Sequence, residues 1–476
     1  MTQINVLLTG LALCCLSALV AGLEAAEATK GPANAPRVNV LYINADDLGV
    51  MDLGYISDRY RTPHIDRLRS EGMLFSEAYA PAANCAPSRA CVFSGQLGPR
   101  HGVYTVGSSE RGKARDRKIV PVENVPFLPA GNLTLAEVFQ EAGYRTIHLG
   151  KWHVSKDPLE RGFDINVGGD GGGSPTGGYF VPFGKGSMES FNESYPVGTH
   201  RVDIYADKAV EFLRESQEQP FFMHMAFYSV HTRLEPVPEY VEGYDASEVD
   251  PVYASMIEKM DEGIGRILAE LDALSLRERT LIVFSSDNGA LRHISSQDPY
   301  RAGKGSYFEG GIRIPLLVSW KGRIEEGARC EVPVSGIDFY PTFLEAAGLP
   351  VPKGKRLDGT SLLPLLKQEG GFPERALFWH FPIYLQAYRG EADGAHDPLF
   401  RTRPGSVVLS GKWKLHEYFE DGRVELYNLE RDLGEREDVS SAYPEKADEL
   451  RRLLVEWRRE MNAEVPHLAN PDYRER

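Results

Sequence analysis

The sequence predicts an α/β fold, with a large mixed but mostly parallel sheet sandwiched by helices and a smaller C-terminal antiparallel sheet plus helix. Three observations lead there. Short continuous apolar runs alternate with segments of helical periodicity. Polar clusters fall just after the apolar runs. Beyond about residue 370, short strand-like runs separated by glycine-containing turns replace the alternation.

The elements follow in order. Residues 38–44 read VNVLYIN, an unbroken apolar run suited to a strand buried on both faces, and Asp46-Asp47-Leu48-Gly49 comes next. Thr62-Pro63 is a cap followed by proline at a first helical position, with Gly72 closing that helix. Thr134-Leu-Ala-Glu137 is a capping box, and Gly143 is its stop. A strand over 145–149 leads into Gly150-Lys151-Trp152-His153, a helix over 202–216 follows, and a buried strand over 221–230 ends at His231. Ile257, Met260, Ile264, Ile267, Leu268 and Leu271 form one apolar stripe at helical spacing. A strand over 280–284 then ends in Ser285-Ser286-Asp287-Asn288-Gly289. Polar groups placed after strands are where open α/β sheets put their ligands. Residues 353–376 read as a connector. Residues 407–409, 413–415 and 424–427 read as short strands, and Leu450, Leu453, Leu454, Trp457 and Met461 as an amphipathic last helix. The expected organisation is a signal segment over 1–26, a main α/β domain over 37–370 and a subdomain over 371–476.

Charge and cysteines narrow the function. Lys+Arg 53 against Asp+Glu 68 gives a net charge of −15, which disfavours nucleic acid or an anionic membrane as partner. An anionic substrate therefore needs a local cationic pocket. Residues 6–22 form the one long apolar run, followed by small and polar residues. This reads as a signal peptide and implies a secreted or periplasmic protein with no stable membrane partner. Once Cys14 and Cys15 leave with that segment, Cys85, Cys91 and Cys330 remain. They are too few for a disulfide framework, and at most one bridge is possible.

Three constellations carry the chemistry. Asp46, Asp47, Asp287 and Asn288 are oxygen donors placed just after strands, a donor set suited to Ca²⁺ or Mg²⁺. Cys85-Ala86-Pro87-Ser88-Arg89 precedes Phe93-Ser94-Gly95 and Arg100-His101-Gly102. Lys151, His153, His231 and Lys304 complete a basic set, Lys304 within Gly303-Lys304-Gly305-Ser306 and upstream of Tyr307-Phe308-Glu309-Gly310-Gly311-Ile312-Arg313. Together these motifs resemble the formylglycine-dependent sulfatases of the alkaline-phosphatase-like superfamily, over roughly residues 38–440. Gln96 and the Thr232-Arg233 pair after His231 depart from the usual pattern, and Arg233 is expected to alter the substrate rim.

The resemblance implies that Cys85 is oxidised to formylglycine by a formylglycine-generating or anaerobic maturation enzyme. The chemical advantage is that a hydrated aldehyde attacks with one hydroxyl and expels sulfate with the other. It implies one Ca²⁺ per chain, held by Asp46, Asp47, Asp287 and Asn288 together with the modified Cys85. It further implies that Arg89, Lys151 and Lys304 clamp the sulfate and that His231 with Lys304 protonates the leaving alcohol. His153 would assist collapse of the sulfated intermediate, and Asp287 would accept the proton of the attacking hydroxyl. The expected substrate is a sulfated saccharide, with Arg233, His101 and a glycine-rich loop over 168–178 on its rim. A phosphodiesterase or phosphonate monoester hydrolase of the same superfamily, and an inactive carbohydrate-binding relic, are the alternatives. Trp379-His380-Phe381-Pro382 fits either core or rim.

Overall fold

The computed structural model describes residues 37–395 and 397–475, so the expected signal segment lies outside the described residues. The strands that matter here are β1 (Asn39–Ala45), β2 (Met73–Phe75), β3 (Arg145–Gly150), β4 (Ile165–Val167), β5 (Phe221–Ala226), β6 (Thr280–Ser286), β7 (Leu316–Ser319), β8 (Ala328–Cys330), β9 (Leu377–Phe381), β10 (Leu385–Gln386), β11 (Phe400–Thr402), β12 (Gly405–Ser410), β13 (Trp413–Tyr418) and β14 (Val424–Asn428). The helices that matter here are α1 (Pro63–Ser70), α2 (Cys85–Ser94), α3 (Leu135–Glu141), α4 (Arg201–Glu215), α5 (Pro251–Ala273), α6 (Phe339–Ala346) and α7 (Pro444–Met461).

Eight strands form the main sheet in the order β4-β3-β5-β1-β6-β7-β2-β8. The central pairs are parallel, while β7 runs antiparallel to both β6 and β2. Alternation along β1 explains the sandwich. Leu41 and Ile43 face a core shared with α1, α4 and α5, and Val40 and Tyr42 face another shared with α2, α3 and α6. Helix α5 starts at Pro251, with Asp250 accepting from the backbone N–H groups of Val252 and Tyr253, and it buries the whole predicted stripe. The capping box at Thr134 and Glu137 forms as expected. Thr62 precedes α1, but its hydroxyl accepts from Gly54 N and donates to Asp66, so it does not cap.

The second sheet, β9-β12-β13-β14, is antiparallel. Val408, Leu415 and Leu426 on it pack with Leu450, Leu454 and Trp457 of α7 and with Cys91 of α2. The Trp379 segment is therefore core: it lies on β9, and Trp379 is 2% exposed. His101 is a correction. It was expected on the substrate rim, yet it is 4% exposed, accepts from Val103 N and sits 3.5 Å from Cys91 Sγ. Burial holds it neutral, with its pKa down to about 4. Cys85, Cys91 and Cys330 are free thiols. Among the described residues no helix is long and apolar enough to cross a membrane.

Candidate active site

Strand register builds the site. Asn44 pairs with Ala226 and with Ser285, and Gly150 pairs with Ala226, so β3, β5, β1 and β6 end at one edge of the sheet. Lys151 and His153 follow β3, His231 follows β5, Asp46 and Asp47 follow β1, and Asp287 and Asn288 follow β6. Helix α2 supplies Cys85 as its first residue. Its Sγ lies 3.6 Å from Asp46 Oδ1 and 4.0 Å from Asp47 Oδ1. Arg89, one helical turn on, shares that face.

Three carboxylates meet three cations in this space. Lys151 Nζ stands 2.6 Å from Asp46, Lys304 Nζ 2.7 Å from Asp47, and Arg89 Nε 2.8 Å from Asp287, with every side chain nearly or wholly buried. Burial alone raises a carboxyl pKa. At Asp46 burial wins over the attraction of Lys151, and the pKa rises. At Asp47 burial also pushes up, but Lys304, His231 and Lys151 together outweigh it and hold the group below the usual carboxylate range.

The donor set fits a hard divalent cation. Carboxylate oxygens of Asp46, Asp47 and Asp287 and the sulfur of Cys85 all lie within 4.8 Å of one another. Asn288 Oδ1 is buried beside them without a hydrogen-bond partner, while its Nδ2 donates to Asp47 Oδ1 at 2.8 Å. The three carboxylates and the amide oxygen suit a hard cation such as Ca²⁺, while the Cys85 sulfur and a ring nitrogen of His231, which cluster with Asp46 within the same 4.8 Å, are the softer atoms of this space.

The basic residues line the same space. His231 Nε2 is 3.9 Å from Asp47 Oδ2, and its Nδ1 donates to the Thr232 carbonyl. Burial lowers its pKa against the pull of Asp46. His153 is 7% exposed with Nδ1 unpartnered, and burial with Lys151, Arg89 and Lys304 nearby holds it well below its usual range. Asp47 and His153 both adopt left-handed backbone conformations, φ 60° and 59°, uncommon for residues other than glycine and concentrated at functional sites. Arg89 gives Nε to Asp287 and Nη1 to the Lys151 carbonyl at 2.8 Å, leaving Nη2 as its one buried, unpartnered nitrogen.

A sequence model described as Sulfatase matches residues 38–349 of the chain, with every one of these groups inside the match. The chain belongs to the sulfatase family. Its C-terminal part, residues 303–461, matches a second model, the N-sulphoglucosamine sulphohydrolase C-terminal region. A sulfatase of Formosa agariphila is 31% identical over 90% of this chain and 88% of its own. The steryl-sulfatase of Mus musculus is 29% identical over 91% and 82%. The N-acetylgalactosamine-6-sulfatase of Sus scrofa is 31% identical over 92% and 88%. The crystal structure of Ps i-CgsB superposes with a TM-score of 0.71 at 27% identity, over 88% of this chain and 92% of that one. A second structure of that protein holds k-i-k-neocarrahexaose. This protein is thus a sulfuric ester hydrolase acting on sulfated substrates.

Sequence reasoning missed several supports of this sulfatase site. Tyr179, at the end of the glycine-rich stretch, is buried and donates to the carbonyls of Tyr228 and His231 at 2.9 and 2.8 Å, fixing the His231 loop. That stretch covers His153 as well as bordering the site: a Cβ on Gly173 would lie 2.5 Å from His153 Cε1. Asp52, with Tyr253 at 2.7 Å and the Gly49 amide at 3.0 Å, braces the turn behind Asp47. These residues carry no motif, and their roles arise only from long-range contact. Arg233 is exposed.

Proposed function

We propose that this sulfatase hydrolyses a sulfate monoester of a carbohydrate to alcohol and inorganic sulfate, using a formylglycine made from Cys85 and one Ca²⁺. The observation that carries this reading is the placement of Cys85 Sγ, 3.6 and 4.0 Å from two carboxylates that pair with the buried Lys151 and Lys304 and face the partly buried His231. Asp46, Asp47, Asp287, Asn288 and the modified Cys85 would hold the cation. Its chemistry there is to polarise a sulfate oxygen and ease deprotonation of the attacking hydroxyl.

A formylglycine hydrate at position 85 would supply one hydroxyl to attack sulfur and a second whose deprotonation would restore the aldehyde and expel sulfate. Lys151 and Lys304 supply ammonium groups for the sulfate oxygens, and Arg89 Nη2 supplies a guanidinium N–H. Once the anionic ester is bound, His231 would carry a second proton on Nε2 and, with Lys304, pass it to the leaving alkoxide, and His153 would take the proton that lets the second hydroxyl collapse. Asp287 is the acceptor for the attacking hydroxyl's proton. The maturation step requires a formylglycine-generating or anaerobic enzyme, and the site of action is secreted or periplasmic. We assign residues 37–370 as the catalytic domain and 371–476 as a C-terminal subdomain.

Comparing kcat/KM on mono- and oligosaccharide sulfates, a steroid sulfate and an aryl phosphate diester tests the assignment. Saccharide sulfates should lead. A steroid sulfate preferred by about a hundredfold, roughly 2.7 kcal/mol in the transition state, overturns it.

A further inference from the structure

The C-terminal β10–β11 ribbon reaches the site beside Lys304. Arg401 on β11 is buried, and its Nη1 donates to the Lys304 carbonyl at 2.9 Å while Nε donates to the Gln386 carbonyl at 3.1 Å. Gly305, at φ +87°, makes room for it, since a Cβ there would lie 2.7 Å from Arg401 Nη1. The guanidinium stacks 3.6 Å from the centre of the Tyr388 ring, and the exposed His293 meets that ring edge-on at 6.0 Å. Tyr388 is nevertheless 48% exposed, so its ring is fixed from behind and open in front.

Two more guanidinium groups belong to this rim. Arg111 is held by Gln386 Oε1 at 3.0 Å and the Val106 carbonyl at 2.9 Å, neither of which carries charge. Arg389 is exposed, and its charge also lacks a carboxylate partner within ion-pair distance among the described residues. The buried Asp393 is occupied by the backbone N–H groups of Tyr388 and Arg389, at 2.6 and 3.1 Å. Burial lowers the pKa of His293, and Arg389 and Arg401 push it the same way against the opposing pull of Asp393. In a chain of net charge −15, this cationic rim beside the sulfate-binding lysine is a local reversal.

We infer that the rim formed by Arg111, Arg389 and Tyr388 is a second anion subsite, which holds an additional anionic group on the sugar next to the one being desulfated. The inference rests on the carbohydrate-sulfatase reading above. Guanidinium groups pair with the oxygens of a sulfate or a carboxylate through charge-assisted hydrogen bonds, and a half-open aromatic ring offers a flat surface to a pyranose.

The test compares matched disaccharides carrying one sulfate, a second sulfate on the neighbouring sugar, or a uronic carboxylate there. Each is assayed for kcat/KM with the matured wild-type protein, Arg389→Ala and Arg111→Ala, and for binding to the inert Cys85→Ala protein. The wild type should prefer a doubly charged sugar by about tenfold, the preference fading with salt, and each arginine variant should bring the ratio towards one. The better of the two doubly charged sugars identifies the anion. Equal binding and equal kcat/KM for singly and doubly charged sugars, or a preference kept in both variants, overturns the subsite. A binding preference without any sulfate release would leave the subsite standing and overturn the sulfatase reading instead.

Discussion

Lys151 Nζ lies 2.6 Å from Asp46 Oδ2, and neither side chain has any exposure to solvent. Removing one partner of such a pair leaves a buried charge unmatched, at a cost of about 3–5 kcal/mol. A bound cation would compensate Asp46 in its place. Lys151→Met should therefore lower the melting temperature strongly in a chelator, and calcium should restore much more of it than it adds to the wild type. Thermal melts with and without calcium decide this. An equal loss in both conditions would mean that Asp46 does not face a cation.

Cys85 should decide activity. Peptide mass spectrometry from a maturation-competent host should show the aldehyde at position 85, and Cys85→Ala should release no sulfate. Turnover at the wild-type rate in that variant would end the formylglycine reading.

His231 should matter more for poor leaving groups. Its Nε2 is the nitrogen that faces the site, 3.9 Å from Asp47 Oδ2. A sugar alkoxide needs a proton in the transition state, whereas a nitrophenolate barely does. His231→Ala should thus reduce kcat on sugar sulfates by about 10²–10⁴-fold and much less on aryl sulfates. Equal losses would assign His231 to sulfate binding.

Acid should weaken the fold through its buried histidines. Burial lowers His148, His200 and His380 to about 3 and His101 to about 4. Each stays neutral in the folded chain but takes up a proton near pH 6.5 when unfolded. Between those values the unfolded state binds more protons, so this stability is complete above pH 6.5 and is lost as pH falls. The slope is about 1.4 kcal/mol per pH unit for each histidine. Urea midpoints should fall steadily from pH 7 to pH 5. His380 is held by Ser406 Oγ at 2.8 Å and the Glu464 carbonyl at 2.9 Å, neither of which is a candidate catalytic group. His380→Gln should reduce the slope by about one proton's worth. An unchanged slope would remove His380 from the groups that make the fold acid-sensitive.

The sequence by itself determined the strand and helix alternation, the α5 stripe and the Thr134 capping box, and it nominated the candidate site groups that the structure brings together. Each is a local signal: unbroken apolar runs, a repeat near 3.6, a cap three residues from its glutamate, or a short motif. It did not reveal α2 as a helix, because all ten of its residues are buried and no polar face marks a period. Nor did it reveal that β7 turns against its neighbours, since a short apolar run reads the same in either direction. His101 shows the limit for side chains: its type suits a rim, but only packing against Cys91 places it inside. The pairing of Lys151 with Asp46, Lys304 with Asp47 and Arg89 with Asp287 likewise belongs to the tertiary structure alone. Those partners are far apart in the chain, and sheet order and register, which no local pattern encodes, bring them together.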